Sequence, residues 1–321
     1  MAAAEPLAPR FLDDWAAILR ARLDELGVKI AASASTQQVS FAYWNAERRL
    51  ITARPRTVVV ANTFQCPPAF QKGLAVLRAK FERGESLRVH LSTAVSDASN
   101  PNFNDRLLND WGIHHFHLGD VTAGNPTGRS DDVLFARVAP STAYFIAVLP
   151  HLDRSTTPAT SPWAERDLIE TVHRNWPETI AQFIPEGVTA DDDEPTSTQM
   201  IRAFRGTGDR RPKKRKTGFL YLMQMDDGTL YLPPGGGYST SGLSTEVLTT
   251  SNWYCNRVVD LANYVDANLE KVLGAIRETG LTPGSPPEFK LVIEDGNACV
   301  DEQASGCRVV LGPIGPNRGK S

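Results

Sequence analysis

Three β-patterned segments follow one another in the middle of the chain: Ile113–Leu118, Asp131–Val138 and Thr142–Leu149. Gly124, Asn125, Pro126 and Gly128 break the first link, and Pro140 and Ser141 break the second. Links this short leave no room for the crossover a parallel pair requires, so the run predicts an antiparallel meander. A meander has to bury a face, and helical patterns flank this one. Phe11, Trp15, Ile18, Leu19, Leu23 and Leu26 repeat at helical spacing ahead of Gly27. Phe70, Leu74, Leu77 and Phe81 do the same between Pro67-Pro68 and Gly84. A short helix is expected before Gly112. Another should follow Ser161-Pro162, with Leu168, Ile169 and Val172 inward. Shorter strands are expected at Val39–Tyr43, Thr57–Ala61 and Leu87–Leu91. The fold class is therefore α+β, an antiparallel meander sheet packed with helices.

A chain of 321 residues, 41% of them hydrophobic, exceeds what one core usually spans. Composition shifts at residues 186–217, where an acidic run (Asp191 to Glu194) precedes a basic one (Arg210, Arg211, Lys213, Lys214, Arg215, Lys216). The expected organisation is a histidine-rich domain at 1–185, a charged linker at 186–217 and a second, smaller α+β domain at 218–321. In that last part, Asp226-Asp227-Gly228 predicts a hairpin. Val258, Leu261, Val265, Val272 and Ile276 predict one long helix ending at Gly280. Phe289–Glu294 and Cys307–Gly312 predict two closing strands.

Net charge is −3, so bulk electrostatics does not mark the whole chain for polyanions. The four cysteines, Cys66, Cys255, Cys299 and Cys307, lack the C-x-x-C spacing of a zinc or redox motif. Neither a secretory leader pattern nor a membrane-length apolar run is present. A cytoplasmic location with free thiols is the expectation, with no membrane partner. A Cys299–Cys307 bridge across a C-terminal hairpin would require an oxidising compartment.

All six histidines lie between residues 90 and 173. Three of them, His114, His115 and His117, fall within the first meander strand. Strand side chains alternate, so His115 and His117 share one face, about 7 Å apart, while His114, Phe116 and Leu118 share the other. The second face reads as the core side. Two imidazoles so placed suit acid–base chemistry, one taking a proton from an attacking hydroxyl and the other giving one to a leaving group. Arg137 on the next strand could hold a phosphate with two hydrogen bonds, and His151 follows the third strand. Together these predict a metal-independent, ribonuclease-like site with His115 as base, His117 as acid, Arg137 on phosphate and His151 in support. The plainer reading makes most of these residues structural, His114 in the core and His173 in packing near Trp176.

Metal binding is the third option, through His115, His117 and His151 with oxygen from Asp120, Asp131 or Asp132. No H-E-x-x-H or H-x-E…C-x-x-C pattern supports it, and no metal or other cofactor is expected. The basic run at 210–216 reads either as an arm for an RNA phosphate backbone or as a solvated linker. PPGGG at 233–237 lacks the Lys-Ser/Thr ending of a phosphate-binding loop, and G-x-S-x-G is absent.

The series NDRLLNDWGIHHFHLG, SDDVLFARV, TAYFIAVLPH and VHRNWPETI, over about residues 100–180, resembles a group of bacterial proteins of unassigned activity. That resemblance implies a bacterial source and carries no function with it. In layout the block is also similar to RelE-type toxin ribonucleases, in which helices precede a meander whose face carries basic and histidine residues. The chain is several times longer than those toxins and lacks their diagnostic motifs, so no catalytic residue is carried over. Two function classes follow. One is an endoribonuclease-like enzyme. The other is a non-enzymatic binding or regulatory protein, antitoxin-like or an accessory factor of a mobile element.

Overall fold

The helical spacing of Phe11, Trp15, Leu19 and Leu23 does produce a helix, α1 (Leu7–Glu25), with all four buried and Gly27 in the left-handed region beyond it. In the computed structural model, residues 6–91, 106–125, 128–150, 165–186, 223–232 and 244–316 are described. The segment around Val39–Tyr43, expected as a strand, is instead part of a second helix, α2 (Thr36–Arg49). Two signals decide it. Val39, Ala42, Tyr43 and Ala46 are buried at helical spacing. Ser35 and Gln38 also form a capping box: the Ser35 N–H donates to Gln38 Oε1 at 2.8 Å, and the Gln38 N–H donates to Ser35 Oγ at 3.3 Å.

The described residues divide into two compact units that are not sequential. One holds 6–46 and 247–316; the other holds most of the chain between them. This grouping crosses the division expected at 186–217, of which 187–217 lies outside the described residues. In the first unit, α1 packs against β7 (Phe289–Glu294). Strand β7 pairs with β8 (Asn297–Glu302), which pairs with β9 (Arg308–Pro313), all antiparallel. Sequence periodicity missed β8 because Asn297, Asp301 and Glu302 disguise it. The Asp295-Gly296 turn was the overlooked signal: both residues have positive φ, 47° and 77°, as a two-residue hairpin requires. The expected long helix is two, α6 (Thr245–Ala267) and α7 (Leu269–Glu278), separated at Asn268. All four cysteines are free thiols, so Cys299 and Cys307 are not bridged.

The second unit carries the meander. Strands β2 (Ile113–His117), β3 (Asp132–Val138) and β4 (Thr142–Pro150) pair antiparallel. Strand β1 (Thr57–Val60) adds to β4 in parallel, so the sheet is mixed, in the order β1-β4-β3-β2. Both faces are covered. Helix α3 (Gln71–Arg83) sets Leu77 and Phe81 against Phe116, Leu134 and Phe145 on one side. Helix α4 (Arg106–Trp111) leads into β2, and helix α5 (Glu165–Asn175) sets Leu168, Ile169 and Val172 against Ile113, Val133, Phe135 and Ile146 on the other.

The hairpin β5 (Met223–Gln224) and β6 (Leu230–Tyr231) adds Met223, Met225 and Tyr231 to the α5-side core. The expected strand at Leu87–Leu91 is a 3-10 turn, Arg88–His90. Gly73 shows how closely α3 meets the end of β2: a Cβ there would lie 1.8 Å from the Leu118 carbonyl oxygen.

Candidate functional site

Strand β2 forms one edge of the sheet, and its alternation places His115 and His117 on the α5 side with Ile113. Their partners across the ladder are Phe135 and Val133. The rings lie 6.3 Å apart between centroids, near perpendicular at 84°. The shared face and the spacing agree with the expectation. The openness of that face does not, because α5 and Val133 and Phe135 make it a packed side in its own right. His115 is half-buried and His117 is only 4% exposed. His114 is buried on the α3 side, its ring 6.0 Å from that of Phe116.

Backbone contacts fix the end of β2. His90 Nδ1 lies 3.0 Å from the His117 carbonyl oxygen; since a carbonyl only accepts, the His90 ring donates from Nδ1. This covers a backbone acceptor on a strand that, among the described residues, lies at the sheet edge. The Ser130 N–H faces His117 Nδ1 at 3.4 Å, and the Leu118 N–H donates to Ser130 Oγ at 2.8 Å. His117 is thereby oriented through its own ring and through the main chain around it.

Arg137 lies on the same face, opposite Ile113. Its Nη1 donates to the Thr179 carbonyl oxygen at 2.6 Å and to Thr179 Oγ1 at 2.9 Å. Burial pushes its pKa down while the neighbouring Tyr144 raises it, and a guanidinium stays charged under both. Any phosphate at this position would have to use its remaining N–H groups. His151 and the basic run Arg210, Arg211, Lys213, Lys214, Arg215 and Lys216 lie outside the described residues. Among the described residues, no group of three or more His, Cys, Asp or Glu side chains is placed to hold a metal ion. Also among them, no helix is long and apolar enough to cross a membrane.

Two arrangements escaped the sequence reading. His90 had no visible constellation, because its partner is a main-chain carbonyl that no motif encodes. The second is a polar cluster joining α5 to the β5–β6 hairpin. His173 Nδ1 lies 2.9 Å from the Tyr231 hydroxyl, and its Nε2 lies 3.0 Å from Asp227 Oδ2. Arg166 and Arg174 both bind Asp226, and Arg174 also bonds Glu170 at 2.7 Å. Asp227 is held down at about 2, chiefly by the Thr229 backbone N–H and then by the Thr229 side chain, with His173 adding to it. Asp226 is held below its usual range by Arg166 first, then Arg174. The available signal was a helix face bearing Arg166, Glu170, His173 and Arg174, three to four residues apart, facing an acidic turn. No protein-family model matches this chain, and neither does any curated protein or solved structure.

Proposed function

We propose that the His115–His117 pair is the acid–base centre of a metal-independent, endoribonuclease-like enzyme. The observation that supports this reading is the pairing of the two rings on one sheet face, 6.3 Å apart. His115 takes the proton of an RNA 2′-hydroxyl as that oxygen attacks the adjacent phosphorus. His117 gives a proton to the departing 5′-oxygen, leaving a 2′,3′-cyclic phosphate and a free 5′-hydroxyl. Arg137, steadied by Thr179, would neutralise the phosphate. His151 would support the pair, and the basic run at 210–216 would retain RNA.

A second reading is favoured by a specific observation: His117 is 4% exposed and Arg137 already serves Thr179. On that reading the histidines are structural and the chain is a non-enzymatic binding or regulatory protein. Single His115→Ala and His117→Ala variants, assayed for RNA cleavage with and without chelator, separate the two. Loss of cyclic-phosphate product in both variants, with no effect of chelator on the parent, is the enzyme's signature. Equal behaviour of parent and variants removes it.

A further inference from the structure

Arg137 is the least explained charge of the sheet. Among the described residues no carboxylate pairs with it, and its side chain bonds to one neutral residue, Thr179, through one nitrogen, Nη1. Burial works against its charge. A cation so placed is normally offset by an acid or by several acceptors. Arg56, 6% exposed, shows the structural pattern: it commits both Nε and Nη1, to the carbonyl oxygens of Ala139, Thr52 and Arg54. Arg137 instead leaves Nε and Nη2 uncommitted. Those two nitrogens carry the parallel N–H pair that a phosphate accepts in bidentate fashion. Neither is among the sealed polar atoms that lack a partner, so both reach the surface.

The groups beside that open fork are set by the same turn that steadies it. Tyr144 stands directly opposite Arg137 across the β3–β4 ladder, on the same face, and near enough to act on its charge. The Tyr144 hydroxyl makes no hydrogen bond among the described residues and is not sealed either. The Trp176 ring lies 5.1 Å from that of Tyr144, inclined at 59°, and both residues are half-buried. Thr179 holds the Trp176 carbonyl twice, through its N–H at 3.0 Å and its Oγ1 at 2.8 Å. One residue of the 3-10 turn Pro177–Thr179 thus fixes the guanidinium and the indole together.

We infer that Arg137, Tyr144 and Trp176 form a nucleotide subsite. The phosphate takes the Nε–Nη2 fork and the Tyr144 hydroxyl, and the base stacks on Trp176. The fork alone would accept any small oxyanion; the aromatic pair beside it favours one that carries a flat ring. This rests on the reading of Arg137 as the phosphate holder and does not require the histidine pair.

The test titrates full-length protein by calorimetry with inorganic phosphate, ribose 5-phosphate, adenosine and adenosine 5′-monophosphate. The nucleotide should bind about tenfold more tightly than either ribose 5-phosphate or adenosine. Arg137→Lys keeps the charge and loses the fork, and should weaken the nucleotide about tenfold. Trp176→Leu should bring the nucleotide down to the level of ribose 5-phosphate. Tyr144→Phe removes one unsealed hydroxyl, so its melting temperature should match the parent's while nucleotide binding weakens. That variant keeps the test decisive where the other two unsettle the fold. A 2′-deoxy trinucleotide, which lacks the attacking hydroxyl, distinguishes the sources: tighter binding than the mononucleotide marks a strand as the ligand, and equal binding a free nucleotide. His115→Ala should bind the nucleotide as the parent does, so failure of this subsite and failure of the acid–base pair are read separately. The inference is overturned if adenosine 5′-monophosphate binds no more tightly than ribose 5-phosphate. It is equally overturned if Tyr144→Phe binds as the parent does, or if no nucleotide binds at millimolar concentration.

Discussion

Glu302 offers the sharpest quantitative test of the structure. Its side chain is 0% exposed, yet it stays ionised, and among the described residues no cation is paired to it. Burial alone would raise its pKa. The Ser305 side chain, and then the N–H groups of Ser305 at 2.8 Å, Gly284 at 3.2 Å and Ala304 at 3.3 Å, outweigh that and hold it at about 2. Against an ordinary value of 4.5, the difference is worth on the order of 3 kcal/mol. The sign follows from a lowered folded-state pKa: the stabilisation is complete above pH 4.5 and drains away as pH falls through about 2. Glu302→Gln replaces an acceptor of several N–H groups with an amide whose own NH₂ must face them. At neutral pH the variant should lose on the order of 3 kcal/mol in urea unfolding followed through Trp15 of the same unit. Amide exchange at Gly284, Ala304 and Ser305 should accelerate with it. The gap between parent and variant should then shrink below pH 4.5 and nearly close near pH 2. An undiminished gap between pH 7 and pH 2.5 would refute the reasoning, since the cost would then owe nothing to ionisation.

Gly73→Ala should lower stability by about 2 kcal/mol or more, because the added carbon meets a main-chain carbonyl that cannot swing aside. Gly274→Ala, in α7 with nothing within 4 Å of the new Cβ, should instead raise stability by about 0.5–1 kcal/mol. Melting temperatures of the two variants should therefore move in opposite directions. Asp227→Asn should speed amide exchange at Thr229, whose N–H donates to Asp227 Oδ1 at 2.9 Å, and at Met225 across the turn. In the parent, that protection is present above pH 3.8 and weakens as pH falls through about 2, which an exchange series at low pH would follow.

The legible part of the fold was the part written in periodicity. Leu77 and Phe81 mark α3, and the apolar runs of β3 and β4 mark the sheet centre. Their burial on both faces made them nearly continuous in apolar character and hard to misplace. What failed failed locally. Val39-Phe41-Tyr43 alternates over a window too short to separate a strand from the helix that Ser35 and Gln38 begin. Grouping rests on something else: the packing of α1 on β7 joins residues nearly the whole chain apart, and no local pattern records it. For the site, the period of two gave the common face of His115 and His117. It could not say what lay above that face, because the burial of an edge-strand face depends on where α5 docks.

The histidines of β2 carry different weight once the strand's position is considered. An edge strand covered on both faces would ordinarily be filled with branched apolar residues, as Val133 to Phe135 fill the neighbouring strand. Imidazoles at positions 114, 115 and 117 forgo that burial and must each be hydrogen-bonded to be tolerated. On the α3 side, His114 and His90 fit a structural account, one beside Phe116 and the other over an edge carbonyl. On the α5 side that account is weaker. A single polar position would suffice to discourage edge-to-edge pairing, and a second imidazole directly beside the first adds desolvation cost. His117 is held by contacts at its ring and at its carbonyl, while half-buried His115 beside it keeps a path to solvent. A fixed ring next to a reachable one is the asymmetry that proton transfer uses. For that reason His115, rather than the more deeply buried His117, is the residue on which the enzymatic reading turns.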